Sequence, residues 1–445
     1  MILNRRRFLA GTASLLTSPL VCRAAAGDQS QSTTRKVVSV KVADGNELQL
    51  ALNRHAGIER TVKIAEPKNL TCVVCEALIG GEKSIHPLLV PEGVDLDLNG
   101  ATLNLDLRSN SYGVRLSNNS AIRNGTIRVV RSEGKGSQAC WHSGISIGAA
   151  YGDGGTPEKP GRFSKVSDWQ IENMTIEQQV AASAIQLMSE ACHGKIKNVR
   201  ILDSAKTLLG IGLDWGSVGP ITGEDKEIPR MRRLWEQGKI YSTHPHDVVI
   251  ENIRVGKLTR NVDGNDAGVR CSACHRITIR NIEVETAATA VAIFGGDLGY
   301  EFAPQEQRVA AHSGYVVENV RIGTALRYGL VLNGNADNIT RARLNHGYDA
   351  VLDPVHPGLD KPTIRDVVLR GPSMPGAQGI YAVALSGATL DNIDVSGFDI
   401  GIHVEDWVRG MRFRNCKIAG NTRNAVVQGA TEPPVDVVFD PTVKG

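Results

Sequence analysis

Short runs of alternating apolar and polar residues recur along the chain, each centred on an asparagine. The pattern surrounds Asn124, Asn173, Asn198, Asn252, Asn281, Asn319, Asn392 and Asn415, and Asp366 holds the same place in one further copy. Alternation with period two marks a strand with one apolar face. The asparagine fits a sharp bend between two such strands, because its short amide tolerates left-handed backbone and can bond along a stack. Another strand precedes each pair and starts after Gly or Ala, as at 113–116, 144–147, 184–187, 268–271, 290–293, 329–332, 382–385 and 401–404.

Tight spacings such as Asn173 to Asn198 and Asn392 to Asn415 define a unit of about 20–25 residues with three short strands. One unit alone cannot bury its inward side chains. Stacked parallel copies enclose a continuous Val/Ile/Leu column and pair every strand with the next coil. The units lack the leucine consensus and the helical period of other solenoids.

Composition agrees with this. The 445 residues are 41% hydrophobic and 4% aromatic, with 47 glycines and 18 prolines. That suits many turns and a real core, and with a net charge near zero it excludes disorder as the main state. The first 26 residues predict an export signal: Arg5-Arg6-Arg7-Phe8-Leu9, an apolar stretch to Val21, then Ala24 to Ala26. The paired arginines before Phe-Leu resemble a twin-arginine signal, which places the protein in the periplasm or outside the cell. The formal charge is +3, and this segment holds four arginines and no acid, so the rest of the chain sits at −1. No global field argues for nucleic acid. Past the signal no apolar run is long enough to span a membrane.

The repeats over about 85–430, with Pro91–Leu103 as an opening coil, resemble the right-handed parallel β-helix of the pectin-lyase-like superfamily. The resemblance implies an all-β, right-handed, single-stranded parallel β-helix of about ten coils. The expected division is a signal at 1–26, an N-terminal cap region at 27–84, the β-helix at 85–430 and a C-terminal tail at 431–445. The cap is predicted to contain a helix over 45–56, from the spacing of Leu48, Leu50 and Leu52, which would cover the open edge.

Long connections cluster beside the first strand of each unit, at about 148–165, 215–246, 295–314 and 353–362, with others at 131–142 and 256–267. Loops of this length are usually functional, so a groove on the first-strand face is the expected binding site. Alternation turns Asp214, Arg270, Ser272, Phe294, Asn333, Asp353, His403 and Glu405 outward there.

Asn261 to Asp266 resembles the Asn-Thr-Asp-Gly-x-Asp motif of polygalacturonase-type hydrolases. The paired aspartates those enzymes carry one coil later are absent from 288–293, so only Asp263 carries over. An inverting hydrolase needs an acid and a base, which would then have to come from loop residues such as Glu224 or Asp225. A β-elimination asks for less: a base beside a uronate carboxylate and a cation to neutralise it. Arg270 fits the cation or the base. His244-Pro245-His246-Asp247 resembles the Asp-Pro-His-Asp motif of alginate epimerases, with its first residue changed.

The candidate catalytic residues are therefore Asp214, Asp263, Arg270, His244 and His246. Trp215, Trp235, Tyr241, Asp266, Phe294 and Asn333 are candidates for substrate binding. No cofactor is expected; calcium at Asp263, Asp266 and Asp297 is a weaker reading than turn formation. Cys271-Ser-Ala-Cys274-His275 matches a haem-attachment pattern, but 191–193 and 273–275 read as one turn repeated in two coils. Cys72 and Cys75 read as packing, with a disulfide open after export. The expected function is action on an extracellular anionic polysaccharide, foremost as a lyase. A polygalacturonase-like hydrolase and a non-catalytic glycan-binding or adhesion protein are the alternatives. The expected partner is a poly- or oligosaccharide.

Overall fold

The computed structural model describes residues 35–73, 75–79, 82–107, 112–132, 143–149, 164–178, 183–214, 237, 244–260, 266–272, 274–294, 313–334 and 359–440, apart from the side chains of 73–86 and 131–132. The chain divides into Met1–Arg35 and Lys36–Gly445, and the second unit is the right-handed parallel β-helix. No helix among the described residues is long and apolar enough to cross a membrane.

Three parallel ladders build the coil. On the second face the inward residues Ile122, Ile171, Ile196, Ile250, Ile279, Val317, Ile364, Leu390 and Phe413 stand in register, one per rung. On the first face Ile145, Ile185, Ile211, Val269, Val291, Leu330, Ile380 and Ile402 do the same. All of these are buried in one continuous core. Branched residues dominate because each must fill the space between rungs about 4.8 Å apart.

The asparagines sit directly above one another. Asn99, Asn124, Asn173, Asn198, Asn252, Asn281, Asn319, Asp366, Asn392 and Asn415 all have φ between 50° and 60°. Each amide from Asn173 to Asn319 donates to the oxygen of the Asn one rung before, at 2.8–3.0 Å. Asp366 cannot donate, and its carboxylate instead accepts from Asn392 at 2.6 Å. A second left-handed column, at the corner between first and second faces, holds Asp168, His193, Asp247, Arg276 and Lys361, then Gly387 and Gly410.

The helix α1 (Gly45–Asn53) is three residues shorter than expected. Asp44 caps it by accepting from the Glu47 amide at 2.9 Å. Gln49 covers the sheet edge: its side chain donates to the Leu89 carbonyl at 2.9 Å and accepts from the Leu89 amide at 2.7 Å. Those backbone groups would otherwise have no strand to pair with.

Four expectations shift. Coil pairing begins before residue 85, since Lys36–Val40 pairs with Arg60–Ile64 and the latter with Val94–Asp97. It also runs past 430, where Val438 pairs with Arg412 and Phe439 stacks on Phe413 at 4.7 Å. The first-face strand expected at 382–385 is Gln378–Val383. Gly379 fits that register, since a Cβ there would lie 2.2 Å from Val395 Cγ1 and 2.5 Å from the Gly401 carbonyl. Finally, Tyr328 pairs directly with Gln378, so no first-face rung lies between them; Asp353, expected to face outward on such a rung, lies outside the described residues.

Candidate functional site

Outward positions of the first face form two neighbouring columns. One runs Gln186, Gly212, Arg270, Ala292, Val331, Tyr381, His403. In the other, Met188 pairs with Asp214, and Ser272, Phe294, Asn333 and Val383 follow in register. The structure therefore brings Asp214, Arg270, Phe294 and Asn333 onto one surface, as their alternation predicts. Arg270 Nη2 donates to Asp214 Oδ2 at 3.3 Å, across the rung where Gly212 leaves room for the guanidinium. Their side chains are 19% and 17% exposed. At that depth the pair is screened far less than on open surface.

Alongside Arg270 the face carries an apolar cluster. Leu209, Ala267, Ala292 and Val331 form a small cluster flanked by Tyr328 and Tyr381. The two tyrosine rings lie 5.5 Å apart, and Tyr381 lies 5.8 Å from the His403 ring. Tyr381 donates to Glu405 at 2.6 Å, and Glu405 also meets His403 Nε2 at 3.2 Å. Burial holds the His403 imidazole below its ordinary value; Glu405 opposes this and Arg423 reinforces it.

Charge is concentrated at the corner where the chain leaves the first face. Cys192, His246 and His275 occupy the same position on successive rungs. His246 Nδ1 is 2.7 Å from Asp247 Oδ2, and its Nε2 is 3.4 Å from Glu190 Oε1. Arg276 clamps Asp247 with two bonds of 2.6 and 2.7 Å, and Lys165 approaches Glu190 at 3.1 Å. Burial alone would lower the His246 pKa. Hydrogen bonds to Asp247, Cys192 and Glu190 outweigh it and raise the value to about 10. Burial likewise works against ionising Asp247, yet Arg276 and His246 hold its carboxyl well below the ordinary range. His246 is thus an imidazolium held between carboxylates. The ring of His244 meets that of His275 edge-on at 6.2 Å.

Asp266 is fully buried at the start of Ala267–Ser272, and its carbonyl accepts from the Thr289 amide at 3.0 Å. Asp263, Trp215, Trp235 and Tyr241, with Glu224, Asp225 and Asp297, lie outside the described residues. Sequence reasoning passed over Glu190, Lys165 and Arg276, and it treated Cys192 and His275 as mere turn residues. Its alignment of that turn was one residue out: Cys192 matches His275, and His193 matches Arg276. Counting back from Asn198, Asn252 and Asn281 finds the true register, because those asparagines are fixed to the ladder. Cys271 faces the core, as expected from the alternation, and Cys274 and Cys72 are buried with it.

No family model matches the chain, and no curated protein does. Among solved structures it is similar to the A-module of an Azotobacter vinelandii mannuronan C-5 epimerase, at 12% identity over 90% of this chain and 96% of that one, with a TM-score of 0.37. An alginate lyase from Paenibacillus sp. matches at 11% identity over 92% and 99%, with a TM-score of 0.34. A surface protein and adhesin from Streptococcus pneumoniae matches at 12% identity over 91% and 100%, with a TM-score of 0.35. Likenesses this distant carry nothing about chemistry, and the coil architecture rests on the pairing registers above.

Proposed function

We propose that this chain is an exported enzyme that cleaves an anionic, uronate-bearing polysaccharide by β-elimination on the first face. The observation that carries this reading is the Arg270–Asp214 pair, a guanidinium fixed on an outward strand position beside the histidine corner. A β-elimination needs the uronate carboxylate neutralised so that the neighbouring carbon releases its proton. Arg270, oriented by Asp214, would bind that carboxylate. Arg270 and His275 belong to one coil, on either side of the corner, and His244 packs on His275. One of these two imidazoles would take the proton, while His246, bonded to Asp247, would hold the corner in place. The apolar strip from Ala292 to Tyr381 would receive the flat faces of neighbouring sugars. The segment 1–26 supports export.

The hydrolase reading finds less support among the described residues. Asp214 and Glu405 face outward on this surface but stand five rungs apart. At about 4.8 Å per rung that is about 24 Å, against the ~5–9.5 Å that carboxylate pairs need. The test is incubation with a panel of uronate polymers, following the ultraviolet absorbance of the new conjugated double bond. The expected result is unsaturated product, lost in Arg270→Ala. No unsaturated product from any polymer, or full turnover by Arg270→Ala, defeats the proposal; glycan binding without turnover would favour the adhesion reading.

A further inference from the structure

We propose that Glu190, Cys192 and His246 form a zinc site. Glu190 and Cys192 are two apart on one strand and so point to the same side. Register then places His246 on the next rung directly beside Cys192. One ligand atom from each residue lies within 4.8 Å of the others, and all three side chains are buried. The His246 Nε2 to Glu190 Oε1 distance is 3.4 Å. Two ligands on one tetrahedral zinc, each about 2.0–2.2 Å from the metal, stand about 3.3–3.5 Å apart. The corner is thus close to a zinc geometry before any metal enters.

Further features fit. His246 Nδ1 bonds to Asp247 at 2.7 Å, which turns Nε2 toward Glu190, and a carboxylate behind a ligating imidazole fixes its tautomer and strengthens it as a donor. Arg276 in turn locks Asp247. Lys165 now meets Glu190, but its side chain is 43% exposed and its flexible stem can withdraw to water. The donor set of thiolate, imidazole and one carboxylate suits zinc and does not suit calcium, which requires six or more oxygens. Three protein ligands leave one coordination position for water or a substrate oxygen. The inference does not depend on uronate being the substrate.

The test uses the whole exported chain, stripped with a chelator and titrated with Zn²⁺ and then with Co²⁺ as an optical reporter. The expected result is about one equivalent of metal retained after dialysis. Co²⁺ should give a thiolate charge-transfer band and the intense visible bands of a tetrahedral site. Cys192→Ser and His246→Ala should abolish the charge-transfer band, while Cys271→Ser and Cys416→Ser keep it. Where Cys192→Ser does not fold, alkylation of the unaltered protein serves instead: zinc should slow modification of Cys192 at least tenfold. Retention of under a tenth of an equivalent by folded protein, a band that survives Cys192→Ser, or alkylation indifferent to zinc would each overturn the site.

Discussion

Replacing Asn252 isolates what the asparagine ladder contributes. Its amide donates to Asn198 at 2.9 Å, and its oxygen accepts from Asn281 at 2.9 Å, while its backbone holds φ at 57°. Both bonds are exposed, so each is worth about 0.5–1 kcal/mol net. An alanine there loses both and also carries a left-handed cost of about 1–2 kcal/mol. Asn252→Ala should therefore cost about 2–4 kcal/mol. Asn252→Gly loses the same bonds without the backbone penalty and should cost about 1–2 kcal/mol more than nothing but less than alanine. Asn252→Asp keeps the acceptor for Asn281 and forfeits the donor to Asn198, the arrangement that Asp366 already shows, and should cost about 1 kcal/mol. Urea unfolding followed by circular dichroism reads the order directly: midpoints should fall from the natural residue through Asp and Gly to Ala. An alanine variant as stable as the glycine one would show that the left-handed bend is not what selects the asparagine, and the account of the repeat would be wrong.

Gly194→Ala should be severely destabilising, by about 3 kcal/mol or more, because its Cβ would fall 1.9 Å from Trp169 Cζ2 in the fully buried indole; recovery of the melting temperature in Gly194→Ala with Trp169→Leu checks that the clash is the cause. Asp214→Asn and Arg270→Met should each cost about 1–3 kcal/mol by breaking the sheltered ion pair, with the double variant losing clearly less than the two added together; strict additivity in denaturant midpoints would mean that the pair does not interact. His403, depressed below its ordinary 6.5 chiefly by burial, is protonated more readily in the unfolded chain, so its contribution to stability is whole above about pH 6.5 and declines as pH falls through that value toward the native pKa. Its ring resonances should titrate below 6.5 in nuclear magnetic resonance spectra, and a midpoint at or above 6.5 would contradict the packing described.

The architecture was legible because every coil repeats the same physical problem. An inward apolar residue every second position and a left-handed asparagine at each bend can be read without knowing what lies above or below. The errors arose where that local rule met a contact from another coil. Alternation fits both 378–383 and 382–385, and only the pairing of Gln378–Val383 with the preceding coil at Tyr328–Asn333 chooses between them. The corner was harder. Glu190, Cys192 and His246 lie up to 56 residues apart, and the two turns that hold Cys192 and His275 share an Ala-Cys-His string that aligns them one residue out of step. A match of letters there concealed the match of positions. The asparagine ladder resolves it, since the geometry of the fold is measured from the bends and not from the side chains that decorate them. For the same reason the repeat could nominate Asp214 and Arg270 as neighbours: they sit on strands whose register the ladder already sets. It could not foresee that three unlike residues at one corner would converge on a single point, because that convergence is a property of stacked turns, each of which looks ordinary when read alone.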